Sequence, residues 1–132
     1  MEGKCLCGKV SLVTADKTHF EVCHCGMCRR WGGGPFFGFH CEGELAISGE
    51  HNVKTFKSSE WAERAFCGSC GTHLYYKIPA LNQHVLPVGL FQHRDNYQFS
   101  EQIFIDKKPG FYAFSNKTPE LTEQQVFEKY TP

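Results

Sequence analysis

Along most of the chain, apolar and polar residues alternate with a period of two, in runs no longer than seven residues. Such runs fall at 9–13, 20–22, 36–40, 45–47, 53–56, 64–66, 74–78, 84–90 and 102–105. Alternation over so few positions is the mark of short strands with one face turned inward. Gly, Asn and Pro punctuate the runs, as in Gly49-Glu50-His51-Asn52 and Lys108-Pro109-Gly110, where turns need unusual φ values or a fixed one. One segment reads differently. Thr122 followed by Gln125 forms a capping box, and Leu121 with Val126 occupies the two positions of a hydrophobic staple, which together predict a helix over 123–129. A further turn of helix is expected over 58–63. The pattern as a whole predicts an all-β fold of short strands with a short C-terminal helix.

Length and composition narrow the class. With 132 residues the chain has the size of one domain, and no repeat, low-complexity tract or linker divides it, so 1–132 is read as a single domain. Its 41% hydrophobic and 14% aromatic content suits a packed core rather than disorder. Lys plus Arg and Asp plus Glu both number 14, and the pI is about 7.0. That balance argues against a nucleic-acid partner that would rely on phosphate neutralisation. The N-terminal MEGKCLCGKVSL lacks the apolar run of a signal peptide, and no segment is apolar enough to span a bilayer. A soluble, cytoplasmic protein without a membrane partner is the expectation.

Eight cysteines in a reducing compartment point to metal rather than to disulfides. Cys67-Gly68-Ser69-Cys70-Gly71 is a zinc knuckle in form, because the turn aims both sulfurs at one point and the closing Gly permits positive φ. A structural zinc takes four ligands, and Cys5 with Cys7 is the matching pair. Closing a site across about 60 residues would make metal binding part of folding, with an apparent contribution on the order of 10 kcal/mol. The other reading of Cys5 and Cys7 is two small residues of a strand, both on one face.

Cys23, Cys25 and Cys28 remain, within CHCGMC, and Cys41 stands alone downstream. Three thiolates leave one position of a zinc vacant, which separates a catalytic from a closed structural site. His24, His40 or Cys41 are the residues that can close it. His24 sits between two ligands and points away. Cys41 is the stronger competitor, and its alternative is a buried thiol among Phe36, Phe37 and Phe39. A thioredoxin-like pair is set aside because CGSCGTHLYY runs into an aromatic strand and not a helix. A triad hydrolase, which needs Cys, His and Asn or Asp brought together in space, is set aside as well. Gly32-Gly33-Gly34-Pro35 matches no phosphate-binding fingerprint. It reads either as a connector or as a stretch kept bare so that a substrate can approach the metal.

The motifs GKCLCGKV, CHCGMCRRWGGGPF and FCGSCGTHLYY, in this order from about Gly3 to about Ile78, resemble the glutathione-dependent formaldehyde-activating enzyme family, which shares its domain with centromere protein V. IFIDKKPGFYAF resembles its closing segment. The resemblance implies a β-tent of short twisted antiparallel sheets around zinc knuckles, with two Zn²⁺ per chain. Matched motif by motif, Cys5, Cys7, Cys67 and Cys70 are the structural metal ligands, and Cys23, Cys25 and Cys28 hold the metal with an open position. It implies a carbon–sulfur lyase activity that joins glutathione to formaldehyde as S-hydroxymethylglutathione.

That chemistry is plausible on its own terms, since a thiol in the fourth position would ionise at neutral pH and attack an aldehyde carbon. Three cysteinates already give the centre a net negative charge, and Arg29 and Arg30 are the nearby groups that would offset a fourth. The competing function is a non-catalytic binding module in which both zincs are structural. An open position favours the enzyme, with a small thiol as partner. Ligation by Cys41 favours the module.

Overall fold

The computed structural model describes residues 1–41, 43, 45–92 and 95–130. It divides into two compact units, each discontinuous in sequence: 1–17 with 39–95, and 18–38 with 96–132. The fold is mainly β with two short helices.

The first unit contains a three-stranded antiparallel sheet of β1 (Glu2–Lys4), β2 (Ser11–Val13) and β5 (Ala46–Ser48). It also contains consecutive antiparallel strands β6 (Val53–Lys57), β7 (Glu63–Cys67), β8 (His73–Ile78) and β9 (Gln83–Pro87). Alternation along these strands turns one face inward. Val10, Leu12, Ala65, Leu74, Leu86 and Phe91 are buried in one cluster with Phe39 and Leu90, each large side chain contributing about 1.5–3 kcal/mol on burial. Cys5, Cys41 and Cys67 belong to the same cluster. Residues 58–63, expected to hold a turn of helix, are instead a bend in which the Ser58 and Ser59 N–H groups donate to Ala62 O, leading into β7. Ser58 and Ser59 favour such local turns over a helix interior.

In the second unit, β3 (His19–Cys23) pairs antiparallel with β4 (Phe36–Cys41), which begins in this unit and ends in the first. On its other side β3 pairs with β10 (Gln98–Ile103), which pairs with β11 (Glu120–Leu121). Both of the latter pairings are parallel, where antiparallel sheets were expected; the strands are brought together by long connections rather than by hairpins. Phe20, Phe37, Phe99 and Phe114 stack against one another, with centroids 5.1–6.5 Å apart. A smaller core gathers Cys23, Cys28, Ile103 and Val126.

α2 (Glu123–Tyr130) follows the expected helix to within one residue. Its capping box is formed: Gln125 N–H donates to Thr122 Oγ1 at 3.2 Å, and Thr122 N–H donates to Gln125 Oε1 at 2.8 Å. Buried Val126 and half-buried Leu121 complete the staple. α1 (Gly26–Gly32) has no counterpart among the expected elements. Among the described residues, no helix is long and apolar enough to cross a membrane. Because the cap satisfies a helix N–H that would otherwise face water alone, Thr122→Ala is expected to lower stability by about 1 kcal/mol, read as a shift in the urea midpoint with unchanged slope.

Candidate metal centre

Two sulfur clusters form, one in each unit. In the first, the Sγ atoms of Cys5, Cys7, Cys67 and Cys70 lie within 4.8 Å of one another. Cys5 and Cys7 are 3.6 Å apart and Cys7 and Cys67 are 3.7 Å apart. A zinc tetrahedron with bonds of about 2.3 Å has edges of about 3.8 Å, close to these two separations, so the donor set suits such an ion. Two like turns create it. Gly8 N–H donates to Cys5 O and Gly71 N–H to Cys67 O, and both glycines have φ near +80°, a conformation that costs any other residue about 1–2 kcal/mol. Around the sulfurs, Val10 N–H reaches Cys5 at 3.3 Å and Asn52 Nδ2 reaches Cys67 at 3.2 Å. Cys70 is exposed, and hydrogen bonds from the Thr72 hydroxyl and the Thr72 N–H hold its thiol down at about 5.

The second cluster is Cys23, Cys25 and Cys28, whose sulfurs also lie within 4.8 Å of one another. Cys23 ends β3, Cys25 caps α1, and Cys28 occupies its buried face. The Cys25 sulfur accepts Cys28 N–H at 3.3 Å, so the helix start that orients the thiol also stabilises its anion. Hydrogen bonds from Cys23 and Cys28 push Cys25 far down, while sharing with Cys25 and Cys28, together with burial, pushes Cys23 far up. Three thiolates this close repel one another, and ionising all of them requires a cation between them. Cys41 lies in the other unit, 2% exposed within its core, its Sγ 3.2 Å from Thr14 Oγ1.

His24 points away from the sulfurs and is fully buried. Every polar group it owns is engaged: its N–H donates to Ile103 O at 3.1 Å, and its carbonyl accepts Arg29 Nε at 3.0 Å. Nδ1 meets the Tyr112 hydroxyl at 2.6 Å, and Nε2 meets Gln102 Oε1 at 2.8 Å. Burial lowers its pKa. The loop carrying Cys23 and Cys25 is thereby buckled to β10 and to the segment around Tyr112. Beside it opens a cleft of about 560 Å³ whose lining includes Arg29, Arg30, Gly33, Gly34, Phe111 and Tyr112. Arg29 is pinned by its bonds to His24 O and Lys107 O. Gly33 caps α1 and Gly34 lines the cleft, so the glycine run is both a helix stop and a bare wall.

Neither Tyr112 nor Gln102 was among the site residues expected from sequence, since nothing local marks a partner 88 or 78 positions away. The helix did carry a signal: a cysteine able to cap, Arg29 and Arg30 in the last turn, and Gly33 after it.

A family model described as glutathione-dependent formaldehyde-activating enzyme matches residues 1–107. A Schizosaccharomyces pombe protein described as an uncharacterized lyase is 37% identical over 129 residues, covering 96% of this chain and 94% of its own length. A Halomonas elongata protein with the provisional name glutathione-dependent formaldehyde-activating enzyme is 27% identical over 129 residues, covering 89% and 82%. In fold, the chain is similar to a Rhodobacter sphaeroides protein whose crystal structure came from structural genomics. The TM-score is 0.60 at 20% identity, over 72% of this chain and 91% of that one. The chain belongs to the glutathione-dependent formaldehyde-activating enzyme family.

The clusters differ in what they close. The first bridges residues 5–7 to residues 67–70, and the second spans six residues. Cys67→Ala is expected to remove one bound metal equivalent and several kcal/mol of stability, whereas Cys28→Ala removes the other equivalent with a smaller fall in Tm. Metal analysis by mass spectrometry, with melting curves on the same samples, measures both.

Proposed function

We propose that the chain is a soluble, cytoplasmic, zinc-dependent carbon–sulfur lyase. It joins and separates a small thiol such as glutathione and an aldehyde such as formaldehyde, through S-hydroxymethylglutathione. Residues 1–132 act as one functional domain. Cys5, Cys7, Cys67 and Cys70 hold a structural zinc, and Cys23, Cys25 and Cys28 hold a second with room for a thiol. The observation that carries this reading is the second cluster: three sulfurs converge in a segment whose Gly26 and Arg29 line a cleft, while the cysteine able to complete them is sunk in the core of the other unit. Membership of the family supports the reaction class.

Zinc at such a site would ionise a thiol at neutral pH and keep it nucleophilic. The protein's own part is geometric and electrostatic. The start of α1 and the buried His24 fix the directions of Cys23, Cys25 and Cys28. Arg29 and Arg30 line the cleft with positive charge, which offsets the excess negative charge of a fourth thiolate and attracts an anionic thiol. In the joining direction the sulfur bonds to the carbonyl carbon and the former carbonyl oxygen takes up a proton; separation is the reverse.

Cobalt substitution tests the reading. Titrating glutathione into the cobalt protein should add thiolate-to-metal absorption that saturates, and Cys28→Ser should lose that change along with adduct formation. Two complete four-thiolate spectra before any glutathione is added, unchanged afterwards, would instead describe a binding module with two structural metals.

A further inference from the structure

Positions 26, 29, 30 and 33 follow the spacing i, i+3, i+4 and i+7, so Gly26, Arg29, Arg30 and Gly33 share one face of α1 and its cap. All four line the cleft, together with Gly34, Pro35, Phe111 and Tyr112. Cys25 and Cys28 stand one residue before Gly26 and Arg29, about 100° around the same helix. The fold gives no reason for glycine at position 26. A Cβ built there meets only Arg29 Nη2, at the ordinary contact distance of 3.8 Å, and alanine is the better helix former. A Cβ at Gly34 meets nothing within 4 Å. The missing side chains leave room in the cleft that packing does not require.

The two arginines differ in what they can still bind. Arg29 is committed through Nε to His24 O and through Nη2 to Lys107 O. Arg30 is exposed, and among the described residues it has no hydrogen-bond or ion-pair partner. A guanidinium stays charged and only donates, and its planar fork matches a carboxylate. We propose that the face made by Gly26, Arg29, Arg30 and Gly33 is a subsite for a carboxylate of the thiol substrate. Arg30 is its specificity-determining residue, and Gly26 is where the substrate chain lies close against the helix. The substrate class is a thiol with an acidic tail, on a stem whose methylene groups meet Pro35 and Phe111, the latter 83% exposed. One uncommitted cation balances one carboxylate. A neutral or cationic tail leaves Arg30 unpaired or facing a like charge, which is how such thiols are rejected.

This inference rests on the lyase reading, and its test separates the two. Calorimetric titration of the metal-loaded protein compares glutathione with its diethyl ester, which keeps the thiol and the stem but has no carboxylate. The ester should bind the wild type about tenfold or more weakly than glutathione. Arg30→Ala should weaken glutathione by about the same factor and leave the ester unchanged, so that the preference disappears. Gly26→Ala should hold as much metal and melt no lower than the wild type, yet bind glutathione severalfold more weakly. Equal affinities for glutathione and ester in the wild type, or a preference that survives Arg30→Ala, overturn the subsite and leave the lyase reading standing. Wild-type glutathione affinity in Gly26→Ala overturns the close approach at that residue. A wild type that binds neither thiol overturns the lyase reading, and the subsite goes with it.

Discussion

Convergence of four sulfurs from two distant turns is the constraint on which the first unit depends. Cys5 and Cys67 are buried in the same hydrophobic cluster as Leu12, Leu74 and Phe91, so the four-sulfur corner is an extension of the core and not an appendage. The turns are held to each other by more than sulfur: Leu6 N–H donates to Thr72 Oγ1 at 3.1 Å. Once an ion is shared, a loop of about 60 residues is closed, and the binding free energy, which the unfolded chain lacks a site to gain, adds to that of folding. Strands as short as three residues in β1, β2 and β5 are tolerable in such a setting, because their order need not come from ladder hydrogen bonds alone.

The second unit solves a different problem, which is to hold three thiols together without a fourth. A strand end supplies Cys23, a helix cap supplies Cys25, and the first turn of that helix supplies Cys28. His24 makes the arrangement rigid from behind, with its backbone and ring polar groups satisfied at full burial, as a buried polar residue requires. Glycines and arginines of the same segment line the cleft.

Much of this architecture is legible in the amino-acid sequence. Two-residue alternation locates β4, β6, β7 and β8 closely, because half-buried strands impose it, and the capping box locates α2. Cysteine spacing alone separates the two sulfur groups, since a turn of two or three residues already aims its thiols together. What stays hidden is non-local or disguised. The parallel pairing of β10 with β3 joins segments about 80 residues apart. Tyr112, Gln102 and His24 meet only after that pairing. α1 is concealed because Gly26 and Gly32 have poor helix propensity, yet the cap at Cys25 and the packing of Cys28 override it. Residues 58–63 err the other way, where serines form local turns instead of a helix.

In the proposed lyase, the two sulfur clusters hold metals of unequal completeness. X-ray absorption at the zinc edge reads sulfur coordination directly. An average between three and four sulfurs per zinc is expected in the protein alone, with a lighter atom making up the remainder, rising toward four when glutathione is added. Four sulfurs on every zinc from the outset, unmoved by glutathione, would contradict it.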